Sequence, residues 1–270
     1  MKTILVPTDF SANANKALEY ASKLALDINA KLVVMNSYQI PSGTSNVMIN
    51  FADILEKDSK EELNKNLKLF QEKPEFAGLE YLPFSCYGYI TEAIKMATQQ
   101  YEIDLIVMGT TGASGIRNKF FGSNTVDAIR HVELPIFVVP LEAEYQPLRN
   151  LILASDQDQS IKNAVNFLLT IVDMNTTKLD IVSVVDSKGQ IDFEESILNE
   201  GIRNIDYQVH QVVNSNVVDG ILDYTSKNES DLVVLLRKSY SFIERIMHIS
   251  VTKKMALHSK KPLLLFKPKI

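Results

Sequence analysis

Residues 104–125 read DLIVMGTTGASGIRNKFFGSNT, and the order of segments within them decides the fold. Asp104 opens an apolar run to Met108, of the kind found in a parallel strand buried on both faces. Gly109 and Gly112 follow at the carboxyl end of that strand, and Gly122-Ser123 comes after nine further positions. A helical pattern then runs from Asn124 to His131. Glycines at a strand end let backbone N–H groups approach a ligand where a Cβ would collide. The start of the next helix presents unpaired N–H groups and partial positive charge, which favour phosphate. Ser123 and Thr125 add hydroxyls at that helix start. The bland alternative is that these glycines only end a strand and cap a helix.

Two better-known phosphate loops are excluded by spacing. No G-x-x-x-x-G-K-[ST] occurs, so the loop lacks the lysine of a P-loop. None of the ten glycines stand at i, i+2, so the dinucleotide fingerprint G-x-G-x-x-G is absent as well.

Working outward, the stretch belongs to one of two copies of a single unit. Thr3-Ile-Leu-Val-Pro-Thr-Asp9 aligns with Asn150-Leu-Ile-Leu-Ala-Ser-Asp156 at an offset of 147. Asp104-Leu-Ile-Val-Met108 aligns with Asp231-Leu-Val-Val-Leu235, and Pro135 to Val139 with Pro262 to Phe266, both at 127. The first copy is therefore longer by 20 residues, a surplus assigned to the segment Ile40–Gly78. Apolar runs mark strands at 3–8, 31–37, 79–87, 104–109 and 135–140, alternating with helices at 13–26, 49–71, 91–101 and 123–131. In the second copy strands fall at 150–155, 178–185, 205–213, 231–236 and 262–267, with helices at 159–172, 192–203, 216–227 and 250–258. This alternation predicts two α/β domains, 1–141 and 149–270, each an open five-stranded parallel sheet with helices on both faces. The boundary lies in Leu141–Leu148, which carries Glu142, Glu144 and Pro147.

In such sheets a ligand sits beyond the carboxyl ends of the strands, where the strand order reverses, here at strands one and four. Strand one ends in Pro7-Thr-Asp-Phe-Ser11. Asp9 can accept hydrogen bonds from ribose hydroxyls; it can equally cap the Ala-rich helix that follows.

The spacing of Gly109, Gly112, Gly122 and Ser123 matches the G-x2-G-x9-G-[ST] signature of the universal stress protein family. Pro7-Thr-Asp-Phe-Ser11 resembles the opening of the same family, and the likeness extends over the first copy and, more weakly, the second. The resemblance implies two flavodoxin-like (adenine nucleotide alpha-hydrolase-like) domains and binding of ATP or another adenine nucleotide, with Mg2+. It places adenine near Pro7, Thr8, Asn36 and Ser37, and ribose at Asp9 and Gly109, with Met108 also among the nucleotide-binding residues. The phosphates fall to Gly112, Gly122, Ser123, Asn124 and Thr125. Asn124 replaces the apolar residue often found after Gly-Ser, so only its backbone N–H carries over. Arg117 and Lys119 lie in the nine-residue spacer, either as phosphate contacts or as solvated loop charges. The resemblance also implies a homodimer and client proteins whose identity the sequence does not give.

At the offset of 127, Gly109, Gly112 and Gly122 become Leu236, Ser239 and Ile249, which put side chains where phosphate should meet bare backbone. A second domain without a phosphate cradle is expected. Its segment Arg237–Arg245 suits another anion or a packing role.

Other features narrow the class. A net charge of −5 gives no electrostatic reason to bind nucleic acid or an anionic membrane, and no run approaches a membrane span. The lysines from 253 to 269 read as a solvated or subunit-contact edge. Cys86 alone forms no internal disulfide, sits in an apolar run as a packed thiol, and suits a reducing cytoplasm. Thr3–Val6 is too short for a signal-peptide core, so no leader is expected. His131 and His258 align at the ends of equivalent helices, a favourable place for histidine. No metal-ligand spacing and no catalytic set are visible. A nucleotide-responsive regulatory or stress-survival protein is the first expectation. A slow ATPase or nucleotidyl transferase and a non-binding interaction module are the alternatives.

Overall fold

Ile4, Leu5 and Val6 are fully buried, and this unbroken apolar run makes β1 (Lys2–Pro7) a strand covered on both faces. The computed structural model describes residues 2–39, 45–111, 121–154, 160–185, 205–236 and 261–266, with backbone alone at 45–51 and 160. The chain divides into two compact units, Met1–Leu141 and Glu142–Ile270.

In the first unit β1 leads to α1 (Ala12–Ile28), β2 (Ala30–Tyr38) and α2 (Ser45–Gln71). A short 3-10 turn at Pro74–Phe76 follows, then β3 (Tyr81–Tyr87), α3 (Ile90–Gln100), β4 (Leu105–Gly109), α4 (Ser123–His131) and β5 (Ile136–Val139). Ser11 starts α1 by accepting from the Ala14 N–H at 3.2 Å. Asn29 stops it in the left-handed region at φ 51°. Between these caps Ala14, Ala17, Leu18, Ala21, Leu24 and Ala25 form one buried stripe. On α2, Leu63, Leu67 and Phe70 are buried, and the Lys73 ammonium lies 4.7 Å over the Phe70 ring.

The five strands are parallel in the order β3-β2-β1-β4-β5. The crossovers β1–α1–β2–α2–β3 step one way across the sheet and β3–α3–β4–α4–β5 step the other. Right-handed connections therefore put α1 and α2 on one face and α3 and α4 on the opposite one. Asn66 on α2 accordingly donates to Asn15 on α1 at 2.9 Å.

The second unit comprises β6 (Asn150–Ala154), α5 (Ser160–Leu168), β7 (Lys178–Val185), β8 (Asp206–Val213), α6 (Val217–Lys227), β9 (Leu232–Leu236) and β10 (Leu263–Phe266). Its strands are parallel in the order β10-β9-β6-β7-β8, the same pattern as the first unit. The register repeats residue for residue. Ile4 opposite Leu105 corresponds to Leu151 opposite Leu232, and Gly109 opposite Val139 to Leu236 opposite Phe266. The shared aspartate explains part of this: Asp104 Oδ2 accepts from the Thr3 N–H at 2.9 Å, and Asp231 Oδ2 from the Asn150 N–H at 2.8 Å.

Residues 39–80 separate β2 from β3, whereas 186–205 separate β7 from β8, and α2 lies in the longer segment. Helix α5 stops at Leu168, short of the expected 172. The chain tightens there into i→i−3 turns, with Thr170 N donating to Phe167 O and Ile171 N to Leu168 O. The helices expected at 192–203 and 250–258 lie outside the described residues.

Candidate functional site

Where the strand order reverses between β1 and β4, their carboxyl ends part and leave a cleft. Its empty volume, counted to the open mouth, is about 620 Å³, within the ~300–1,000 Å³ common for ligand sites. Pro7, Thr8 and Asp9 from the end of β1, Ser37 from β2 and Met108 and Gly109 from β4 line it. Gly122, Ser123, Asn124 and Thr125 at the start of α4 complete that wall. The structure thus brings together in one cleft every residue the sequence points to except Asn36, Gly112, Arg117 and Lys119. Gly112 lies outside the described residues, with Arg117 and Lys119.

The β1 end is a tightly bonded turn. Thr8 N donates to Met35 O at 2.8 Å, and Thr8 O accepts from Asn36 Nδ2 at 2.8 Å. Thr8 Oγ1 accepts from the Phe10 N–H at 3.0 Å. Phe10 itself sits at φ 62°, a region that non-glycine residues rarely adopt. Asp9 Oδ1 accepts from the Ser11 N–H at 3.1 Å, an Asx turn. The helix cap is Ser11, so Asp9 is not the N-cap, and its exposed carboxylate borders the cleft. Asn36 does not serve as a wall. Its Oδ1 accepts from Ser59 Oγ at 2.7 Å, and Ser59 lies 2.7 Å from Ser85 Oγ, so Asn36 braces Thr8 from behind.

On the β4 side, the reason for glycine at 109 differs from the one the sequence suggests. A Cβ there would lie 2.8 Å from Asn13 Oδ1 and 3.0 Å from Asn13 O, so α1 occupies the space and not a ligand. Gly109 O accepts from Thr125 Oγ1 at 2.9 Å, and Gly122 N donates to Thr110 O at 2.7 Å. These two bonds pin the start of α4 to the end of β4. They also direct the Thr125 hydroxyl hydrogen and the Gly122 N–H inward. Gly122 is the N-cap at φ −66°, ψ 160°, a conformation open to any residue. It brings no side chain, so among the described residues the N-cap itself offers no side-chain acceptor to the N–H groups of Ser123, Asn124 and Thr125.

Ala14, Met35, Ile90 and Thr111 also line the cleft and were not anticipated. Asn13 was missed too, although a polar residue on the stripe Asn13, Ala17, Ala21, Leu24 is a signal that a helix reading can use.

Elsewhere, burial pushes the Cys86 thiol up to about 11, so it is an inert packed thiol. His131 Nδ1 lies 3.0 Å from Asp127 O in the last turn of α4. In the second unit Tyr224 donates to Asp180 Oδ2 at 2.9 Å, with His210 Nε2 3.4 Å from the same carboxylate, tying α6 to β7 and β8. Leu236, 5% exposed, fills the position equivalent to Gly109. Ser239, Ile249 and the segment Arg237–Arg245 lie outside the described residues, as does Asp156. No group of three or more His, Cys, Asp or Glu able to hold a metal occurs among the described residues. None of their helices is long and apolar enough to cross a membrane.

The chain matches the model of the Universal stress protein family over residues 1–140 and 200–267. One universal stress protein of Methanocaldococcus jannaschii is 25% identical over 138 residues, 51% of this chain and 81% of that protein. A second from the same organism is 24% identical over 152 residues, covering 51% of this chain and 94% of the other. A crystal structure of a universal stress protein from Archaeoglobus fulgidus matches 99% of this chain and 98% of its own, with a TM-score of 0.74 at 19% identity, a likeness of fold.

Proposed function

The chain belongs to the universal stress protein family, and from that premise we propose that its first unit binds an adenine nucleotide, ATP foremost, in the cleft between β1 and β4. The observation that carries this reading is the pairing of two opposed features in one cleft. An exposed carboxylate, Asp9, borders one side, and a helix start capped by a glycine borders the other. The first suits ribose hydroxyls and the second suits phosphate.

Base and ribose would contact Pro7, Thr8, Ser37, Met108, Gly109 and Asp9, and the phosphates would meet the N–H groups of Ser123, Asn124 and Thr125 beside Gly112 and Gly122. Mg2+, which keeps several waters and binds through phosphates with few protein ligands, would accompany ATP. The second unit is read as a degenerate copy, since Leu236 stands where the first has Gly109. On this reading the protein is a nucleotide-responsive regulator or stress-survival factor of the cytoplasm. It works as a homodimer and acts through client proteins.

Native mass spectrometry of the purified full chain, with calorimetry against ATP, AMP and adenosine, tests the reading. One adenine nucleotide per chain is the expected result. A chain that takes up none of the three overturns it. Sustained phosphate release at saturating ATP would move the protein into the ATPase class.

A further inference from the structure

Asn13 is the second residue of α1 and is 6% exposed. Its Nδ2 donates to Thr110 Oγ1 at 2.9 Å and to Thr111 Oγ1 at 3.0 Å, which spends both amide hydrogens. Its Oδ1 is buried without a hydrogen-bond partner among the described residues and stands against the bare face of Gly109. A buried amide oxygen without a partner lowers stability, and alanine would sit at this position without that cost. The worth of the amide therefore lies in what Nδ2 does to the two threonines.

A hydroxyl that accepts a hydrogen bond still has its own hydrogen to donate. Thr110 is buried, and its backbone is tied on both sides, N to Val139 O at 3.2 Å and O from Gly122 N at 2.7 Å. Thr111 is the one of the pair that lines the cleft. With Nδ2 on its oxygen, its hydrogen is turned away from Asn13.

We propose that Asn13 is a positioning residue that holds Thr111 Oγ1 as an acceptor and so aims the Thr111 hydroxyl hydrogen at a phosphate oxygen of the bound nucleotide. The inference rests on the adenine nucleotide reading above. It also gives Gly109 a second task, because any Cβ at 109 would displace the asparagine. In the second copy Ser160, Leu236 and Lys238 stand where the first has Asn13, Gly109 and Thr111, so the whole set is exchanged together.

The test is calorimetry on the full chain with ATP and with adenosine, for wild type, Asn13→Ala, Thr111→Val, the double variant and Thr111→Ser. Each of the first two substitutions should weaken ATP about tenfold, the value of one hydrogen bond to a charged oxygen, and leave adenosine unchanged. The double variant should be no weaker than either single one, and Thr111→Ser should keep wild-type affinity. If Asn13→Ala weakens ATP and adenosine equally, or if the two losses add, the asparagine only shapes the cleft and the inference falls. Thr111→Val replaces a side chain at the cleft wall and carries the test if Asn13→Ala fails to fold: unchanged ATP affinity in it overturns the inference. A wild-type protein that binds adenosine but shows no preference for ATP overturns it while leaving a nucleoside reading intact. Binding of neither ligand overturns both.

Discussion

Asp9 stands exposed at the end of β1, with Oδ1 held by the Ser11 N–H at 3.1 Å and the next residue, Phe10, at φ 62°. The turn therefore fixes where the carboxylate points, and a ligand that uses it meets a group already oriented. Asp9→Ala should leave the fold in place and weaken ATP by about 1–3 kcal/mol, the value of a charged acceptor. Calorimetry with circular dichroism as the folding control reads this directly, and unchanged affinity would move ribose away from β1. Gly122→Val makes the complementary test. At φ −66° a valine meets no backbone penalty. Its branched side chain instead stands at the cap of α4, over the N–H groups assigned to phosphate. Loss of ATP binding in a folded protein is expected, and wild-type affinity would place the phosphates elsewhere. Cys86 supplies a third check at this scale. Its thiol is raised to about 11 by burial, so the fold favours the protonated form. That contribution is fully present below the ordinary thiol range near 9 and is lost as pH climbs toward 11. Thiol reagents should thus react slowly with the native chain at pH 8 and promptly after unfolding in urea. Rapid native labelling would show that the strand around Cys86 opens easily.

The elements were legible in the sequence to the extent that their causes are local. The offsets 147 and 127 reappear as strand register because strands buried on both faces tolerate no slip of one residue. Helix α4 begins at Ser123 because Gly122-Ser123 is itself a cap signal. What escaped were features set by distant contacts. The clash that requires glycine at 109 comes from Asn13, on another element. Asn36 braces Thr8 instead of lining the cleft because Ser59, on α2, holds its other end. The positive φ of Phe10 carries no residue signature at all. The paired aspartates Asp104 and Asp231 yield a prediction at this scale. Asp104 serves Thr3, which is 2% exposed, so Asp104→Ala leaves a buried N–H without a partner and should cost about 1–3 kcal/mol. Asp231 serves the exposed backbone of Arg149 and Asn150, where water can replace it. Asp231→Ala should cost less than Asp104→Ala, as urea denaturation would measure. The reverse order would mean that the clamp on β6 matters more than its exposure suggests.

Across the whole molecule, two units share one strand order and one register, yet differ at the places that would meet a ligand. Gly109 opposite Val139 in the first is Leu236 opposite Phe266 in the second, and Leu236 is buried. A leucine at the Gly109 position claims the space that Gly109 leaves to Asn13, and Ser160 and Lys238 stand where the first copy has Asn13 and Thr111, so the second unit lacks the polar set behind that wall of the cleft. Binding should therefore be confined to the first unit, and linkage makes the asymmetry measurable. A ligand that binds only the folded form stabilises it by roughly 2.7 kcal/mol at 100 times its Kd. Scanning calorimetry of the full chain should resolve two transitions, of which ATP moves one upward and leaves the other in place. Asp9→Ala identifies the moving transition, because its shift with ATP should shrink in that variant while the second transition is unaffected. Equal movement of both would show that the second unit binds nucleotide despite Leu236. A single cooperative transition that moves as a whole would mean that the two units unfold together, and the ratio of ATP bound per chain would then decide whether one cleft or two is occupied.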